Sequence, residues 1–348
     1  METSIKSDQR SGKLTEVSTD VLSAILAVCD GHDLGHLWLC GDTRLNMLMA
    51  HGGVSSFSLG VVSWRKYLWP QLVCSFSGLR VLHLISPTLS TRSMPFSGFS
   101  WSLVPSGVVD LSIQSESLSS LGLACDGVIS ASLTSLHISI ASYETFGLNI
   151  VWCDRFPNLE TLNIPNGISS PLVLPRHLTA LRVGLIDHRR WDPASNDGWP
   201  STLTSLAVNV QYSRDKVEQP ERWIASLAPR LQHLETGSAS LVWKPDPPLD
   251  WSQLVSAVIP YSTRGGELPP NLTRLQIATF PPVRDLHALL KSIPPRVTSL
   301  DIPIDDILRT EHLQLLPKSV TELAGSDDDV LRLADFDTLA LLPMHTRA

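Results

Sequence analysis

A short motif returns at regular intervals along most of the chain, and this repetition constrains the fold more than any other feature. Five segments share a bulky residue, proline, two variable residues, an apolar residue and threonine, and they begin at Leu174, Trp199, Leu268, Ile293 and Leu316. Four of them continue as Leu-x-apolar, and looser copies fill the intervals. A chain with a fixed period folds as a stack of similar units rather than around one globular core.

The central position of each copy, usually leucine, sets the period. These positions are 82, 111, 136, 162, 181, 206, 234, 257, 275, 300 and 323, with a mean spacing of about 24 residues. In Leu-x-apolar the two apolar side chains lie on one face of a short strand, and the residue between them points to the other face. Each copy therefore predicts one strand of a parallel sheet. The register near residues 107–125 and 250–260 stays open.

The segments between the strands differ from one copy to the next. Prolines before the strands fix φ and disfavour a helix there. Leu286, Leu289 and Leu290 have helical spacing, whereas residues 187–198 are rich in turn-forming types. We therefore expect short helices and irregular segments on the side away from the sheet.

These repeats resemble the leucine-rich-repeat family over roughly residues 75–325, in the form Leu-Pro-x-x-Leu-Thr-x-Leu. The resemblance implies an α/β solenoid with a parallel sheet on its concave face and short helices and irregular segments on its convex face. The asparagine ladder that the family places after Leu-x-Leu is absent from this sequence. Other groups must then satisfy the turns.

Residues 17–52 do not follow the repeat, and their spacing predicts three short helices. Ser18 or Thr19 can cap the first helix, and Asp20 suits its positive end. An apolar stripe follows at helical spacing. The stretch is similar to an F-box, with Asp20 at the position of the family's Glu and Cys40 near its Val-Cys, although the initial Leu-Pro and the closing Trp are missing.

The F-box resemblance implies that a Skp-type adaptor protein binds this segment. The adaptor-binding apolar surface would consist of Val17, Val21, Leu22, Ile25, Leu26 and Leu34. The alternative is that the segment only caps the open end of the solenoid. The predicted organisation is a disordered tail over 1–13, the F-box-like segment over 14–55, the solenoid over 56–325, and a further repeat or cap over 326–348.

Composition and charge exclude several classes of function. Hydrophobic residues make up 43% of the chain and charged residues 18%, which indicates a folded protein. The net charge is −7 and the basic residues are scattered, so we expect no nucleic-acid partner. The sequence has no secretory signal and no bilayer-spanning run, and its five cysteines are widely spaced. We therefore expect a cytoplasmic or nuclear protein without a membrane partner.

No motif for catalysis, phosphate binding or metal binding is present in the sequence. Asp327, Asp328 and Asp329 lack the alternation of a calcium loop and are expected to be solvated. We predict a protein that is not an enzyme and has no cofactor and no metal.

Function should then lie on the outward face of the sheet. The residues predicted to bind a target protein there are His83, His137, Asn163, Arg182, Glu235, Gln276 and Asp301. Tryptophans in three insertions could add contacts or could cover the opposite side; they are Trp191, Trp199, Trp223 and Trp251.

Two functions fit this sequence. The first, which depends on the F-box resemblance, is the substrate-recognition subunit of an SCF-type ubiquitin ligase, which binds an adaptor at its N-terminus and a target protein on the repeat face. The second is a non-catalytic repeat scaffold whose N-terminal helices are only a cap.

Overall fold

A single sheet of stacked strands forms the framework. The computed structural model describes residues 56–60, 77–85, 101, 104–115, 129–140, 152–168, 173–186, 199–210, 224, 226–237, 249–261, 267–279, 283–303, 314–324 and 330–332. Within these residues, thirteen strands pair in chain order. They are β1 (Ser56–Gly60), β2 (Val81–Ile85), β3 (Asp110–Ser115), β4 (Ser135–Ile140), β5 (Thr161–Ile168), β6 (Ala180–Ile186), β7 (Ser205–Val210), β8 (His233–Thr236), β9 (Ser256–Ile259), β10 (Arg274–Ile277), β11 (Ser299–Asp301), β12 (Glu322–Ala324) and β13 (Val330–Arg332).

Strands β1 to β12 are parallel, so the predicted repeat solenoid is confirmed. The last strand, β13, pairs antiparallel with β12. The chain therefore reverses direction after β12 instead of adding another parallel repeat there. All six residues predicted to bind the adaptor lie outside the described residues.

The predicted register is confirmed at every central position. One row of directly paired residues, the leucine row, crosses β2 to β12 as Leu82, Leu111, Leu136, Leu162, Leu181, Leu206, Leu234, Ala257, Leu275, Leu300 and Leu323. This pairing also settles the two stretches that the sequence left open. Phe57 of β1 extends the row by pairing with Leu82, and the sequence pattern missed it.

Two further apolar rows flank the leucine row and complete the core. Three residues before each leucine comes a fully buried Leu or Val, as at Leu178, Leu203 and Val297. Two residues after it comes a second buried side chain, such as Ile138 or Val208. Because the buried positions alternate with outward ones, each repeat shields its neighbours' apolar faces from water.

A tight turn leads into most strands, and it explains the repeated proline. The N–H of Leu178 donates to the carbonyl of Pro175, and Leu203 and Val297 repeat this bond to Pro200 and Pro294, all at 3.1–3.2 Å. Pro175, Pro200 and Pro294 are buried. Because proline has no backbone N–H, burial there leaves no donor without a hydrogen-bond partner. The motif thus combines a turn with part of the core.

A ladder of threonine side chains links consecutive repeats. The sequence has no asparagine ladder that could do so. The Oγ1 of each threonine donates to the backbone carbonyl at the corresponding position of the preceding repeat, over 3.1–3.5 Å; the donors are Thr134, Thr179, Thr204, Thr273, Thr298 and Thr321. The same carbonyls accept two backbone N–H groups, as Thr273 does from Thr298 and Ser299. The ladder therefore fixes the stacking of neighbouring strands.

We expect Thr298→Val to lower the free energy of unfolding by about 0.5–1.5 kcal/mol, because it removes one hydrogen bond at nearly constant volume. Urea denaturation followed by circular dichroism measures this change. Thr298→Ser keeps the hydroxyl and should cost less than Thr298→Val. Equal losses in the two variants would show that the hydroxyl contributes nothing.

A second set of polar side chains, four residues before the leucine row, also bonds to the preceding repeat. Ser132 donates to Val108 and Ser319 to Val297, both at 2.8 Å, while Asn158 donates to Ala131 at 2.7 Å. The polar residues at the turn edge are thus used for stacking.

Helices are short in the described residues. Helix α1 spans Trp152–Arg155, a 3-10 turn spans Ala228–Arg230, and α2 spans Val283–Ser292. The helix predicted from Leu286, Leu289 and Leu290 is confirmed, since α2 buries all three against the sheet core.

Candidate functional site

The seven residues predicted on the outward face lie in one row of the sheet. His83, His137 and Asn163 follow leucines of the leucine row by one position, as do the other four, and the strand pairing aligns these positions. Three residues that the sequence prediction omitted complete the row between them. The central outward row on β2 to β11 is His83, Ser112, His137, Asn163, Arg182, Ala207, Glu235, Val258, Gln276 and Asp301.

Because of the three omitted residues, the seven predicted residues do not all occupy successive strands. Ser112 separates His83 from His137, Ala207 separates Arg182 from Glu235, and Val258 separates Glu235 from Gln276. The row is therefore continuous and polar on β2 to β6. On β7 to β11 polar and apolar residues alternate in part.

Arg182 and Glu235 form an ion pair across an intervening strand. Their Nη2 and Oε1 atoms are 2.8 Å apart although β7 lies between β6 and β8. The small side chain of Ala207 leaves room for this bridge. Because the two side chains are 53% and 41% exposed, the pair stabilises the fold by at most about 1 kcal/mol. Its main effect is to orient two opposite charges on the face.

The polar residues of the central outward row on β2 to β5 differ in their hydrogen bonding from the polar residues at the turn edge, which bond to the preceding repeat. The side chains of His83, Ser112, His137 and Asn163 are half-buried on the sheet. None of these four side chains has a hydrogen bond to another residue in the described part of the chain. Polar groups that are partly withdrawn from water normally find partners. These four are therefore available to a ligand.

Asn163 is the member of this group that has a buried polar atom without a hydrogen bond. Its Oδ1 atom is buried, yet it has no hydrogen-bond partner. An amide oxygen accepts while the neighbouring NH₂ donates, and a rotation about χ2 exchanges the two groups. Asn163 can thus present either a donor or an acceptor between His137 and Arg182.

The environment of His137 favours its neutral form. Burial lowers the pKa of His137 below 6.5, and Arg182 lowers it further. Asp110 opposes this shift by raising the pKa, and His83 adds a smaller lowering. The imidazole therefore becomes easier to protonate if a negative group approaches it.

The low pKa of His137 predicts a pH effect on stability. The unfolded chain binds the proton more readily than the folded protein does, so His137 makes stability fall as the pH drops through 6.5. We expect wild type to lose more stability than His137→Gln between about pH 7.5 and pH 5.5. Urea denaturation at a series of pH values measures both proteins. Parallel pH profiles would contradict the assignment.

Two of the four tryptophans from the insertions can be placed. Trp199 and Trp251 are each only 7% exposed and belong to the core, so they cover the sheet and do not form a binding surface. Trp191 and Trp223 lie outside the described residues, as do Asp327 to Asp329. A third tryptophan, Trp101, packs its ring edge-on to Phe156 at 5.3 Å.

No helix in the described part of the chain is long and apolar enough to cross a membrane. No group of three or more His, Cys, Asp or Glu side chains is arranged there to hold a metal ion.

A comparison of the chain with models of known protein families finds no match, and a comparison with curated proteins finds none either. The outward row and the N-terminal segment are therefore the features of this chain that point to a function.

Proposed function

We propose that the chain is a non-catalytic protein-binding module of leucine-rich-repeat type, which holds a protein partner on the outward face of its sheet. The observation that carries the proposal is the central outward row. Its register is fixed by strand pairing, and four adjacent polar side chains in it have no hydrogen-bond partner among the described residues. A rigid, polar and unpaired row suits recognition of another protein's surface.

A steric block in the middle of the row tests this proposal. Ala207→Arg places a long charged side chain between Arg182 and Glu235, and Ala288→Arg makes the same change on the exposed side of α2. Tagged wild type and both variants are purified from cells of the source organism, and the proteins recovered with them are quantified by mass spectrometry. We expect proteins that accompany wild type and Ala288→Arg to be lost from Ala207→Arg. Recovery of the same proteins with all three chains would contradict the proposal.

The proposal extends to a receptor role in ubiquitin transfer. In this form, residues 14–55 hold a Skp-type adaptor through Val17, Val21, Leu22, Ile25, Leu26 and Leu34, and the sheet presents a target. The support is the F-box-like spacing of the sequence, since these residues lie outside the described part. The chemistry of transfer belongs to other subunits.

Co-purification with a Skp-type adaptor tests the receptor role. We expect the adaptor to bind wild type and Ala207→Arg equally, and to be lost from the double variant Ile25→Asp/Leu26→Asp while circular dichroism stays unchanged. If wild type does not bind the adaptor, the chain is a repeat scaffold whose N-terminal helices form a cap.

A further inference from the structure

Five consecutive residues of the central outward row form a continuous set of hydrogen-bond donors, which we name the donor patch: His83, Ser112, His137, Asn163 and Arg182. Each can donate from its side chain, and none is acidic. We propose that the donor patch binds an acidic segment of a protein partner, whose carboxylates accept hydrogen bonds from these side chains. This inference deepens the proposed function, on which it rests, by naming the chemistry of the partner.

The donor patch differs from the polar residues at the turn edge because most of its side chains lack hydrogen bonds to other described residues. The turn-edge polar residues Ser132, Asn158 and Ser319 all donate to carbonyls of the preceding repeat. By contrast, Arg182 alone among the five patch residues has a side-chain hydrogen bond to another described residue. Since the other four make no such bond to a neighbouring repeat, their polar groups are left to bind a molecule from outside.

The charge of the patch selects the kind of partner. The guanidinium of Arg182 is always charged, donates from Nη2 to Glu235 and keeps further N–H groups, which can donate to a carboxylate of a partner. In the neighbouring outward row on β2 to β6, which runs through Val81, Asp110, Ser135, Thr161 and Ala180, Asp110 is the sole acidic residue. Basic segments would therefore find few acceptors here.

The other end of the face has the opposite character. The outward rows of β8 to β12 contain the acidic residues Glu235, Asp301 and Glu322 and the basic residue Arg274. An acidic segment is repelled from these strands and is directed toward β2 to β6. The ion pair of Arg182 and Glu235 marks the boundary between the two ends.

The length of the patch fits a short extended segment. Five neighbouring strands about 4.8 Å apart span roughly 19 Å, which an extended peptide covers with about six residues at 3.3 Å each. Such a segment lies across the strands, so that its side chains reach successive members of the donor patch.

Binding should take up a proton at the patch. Burial, Arg182 and His83 lower the pKa of His137 and favour its neutral imidazole, whereas Asp110 raises the pKa and opposes them. A bound carboxylate favours the imidazolium form, and the charged His137 then donates from both ring nitrogens. Affinity should therefore rise as the pH falls, by at most about tenfold per pH unit for one proton.

A labelled hexaglutamate peptide, measured by fluorescence anisotropy against the full chain at about pH 6 and pH 8, tests the inference. We expect saturable binding that is tighter at pH 6, about tenfold weaker binding by Arg182→Gln, and a reduced pH dependence in His137→Gln. Lys291→Gln, which removes one positive charge from the exposed side of α2, should bind as wild type does. A hexalysine peptide should not bind.

Three results would overturn the assignment: no hexaglutamate binding by folded wild type at either pH, equal binding of hexalysine, or unchanged binding by Arg182→Gln. If one of them occurs while Ala207→Arg still loses protein partners in cells, the face binds a protein of different chemistry, and the proposed function stands. If Ala207→Arg loses none, the proposed function fails as well.

Discussion

We expect Leu206→Ala to lower the free energy of unfolding by about 2 to 5 kcal/mol. Leu206 is 1% exposed and lies in the leucine row between Leu181 and Leu234. Truncation removes apolar contact and leaves a cavity, and strand pairing on both sides keeps the neighbouring leucines from closing it. Leu181→Ala should have an effect of the same size. Urea denaturation followed by circular dichroism gives both values.

Gln276→Ala is the control for this prediction, because Gln276 is exposed and its neighbour Leu275 is buried. Its cost should stay within about 0.5 kcal/mol. If Leu206→Ala and Gln276→Ala are equally stable, the leucine row is not the core of the protein.

Phe156→Ala should destabilise the protein by about 3 to 5 kcal/mol. Phe156 follows helix α1 and is among the largest fully buried side chains, and its ring meets that of Trp101 edge to face at 5.3 Å. Such ring pairs add about 0.5–1.5 kcal/mol to the burial of area alone. Truncation thus removes both a core side chain and the partner of Trp101.

Val173→Ala provides the comparison, since Val173 is the exposed large apolar residue, at 37%, among those described. Its loss should be small, within about 0.5 kcal/mol. The contribution of Trp101 to the fluorescence, taken as the difference between each protein and its Trp101→Phe counterpart, should change in Phe156→Ala and stay constant in Val173→Ala. A Phe156→Ala protein as stable as wild type would show that the helix α1 region does not pack on the sheet.

The buried rows were predictable because the requirement to bury an apolar stripe acts within one repeat. Leu181 and Leu206 are recognisable from their own neighbours, and stacking then fixes the register of every strand. The sequence pattern missed β1 because Phe57 replaces leucine and no proline precedes it. The reversal at β13 was equally hidden, since a three-residue strand carries no periodicity of its own.

The site was predictable in part, for a different physical reason. The pattern predicts outward positions for residues such as His83 and Arg182 because they alternate with buried leucines, whereas Ser112 lies in a stretch whose register the sequence leaves open. Only the strand pairing shows that Ser112 completes the donor patch and that Ala207 lets Arg182 reach Glu235. The threonine ladder likewise joins residues 18–25 positions apart, which local sequence does not connect.

The single outward row underlies both functional proposals, and disulfide formation tests it most directly. Arg182 and Ala207 are paired across β6 and β7, so their Cα atoms should be about 4.8 Å apart, within the usual disulfide span of about 4.4–6.8 Å. Ala180 is paired with Ser205 instead, which puts it roughly 8 Å from Ala207. Both pairs face outward, so they differ in register and not in exposure.

The measurement is made in a chain whose five native cysteines are replaced by serine or alanine. Under mild oxidation, Arg182→Cys/Ala207→Cys should form an internal disulfide readily, as detected by mass spectrometry, while Ala180→Cys/Ala207→Cys should remain reduced. The reverse preference would mean that β6 and β7 are displaced by two residues, and that the polar side chains do not form one row.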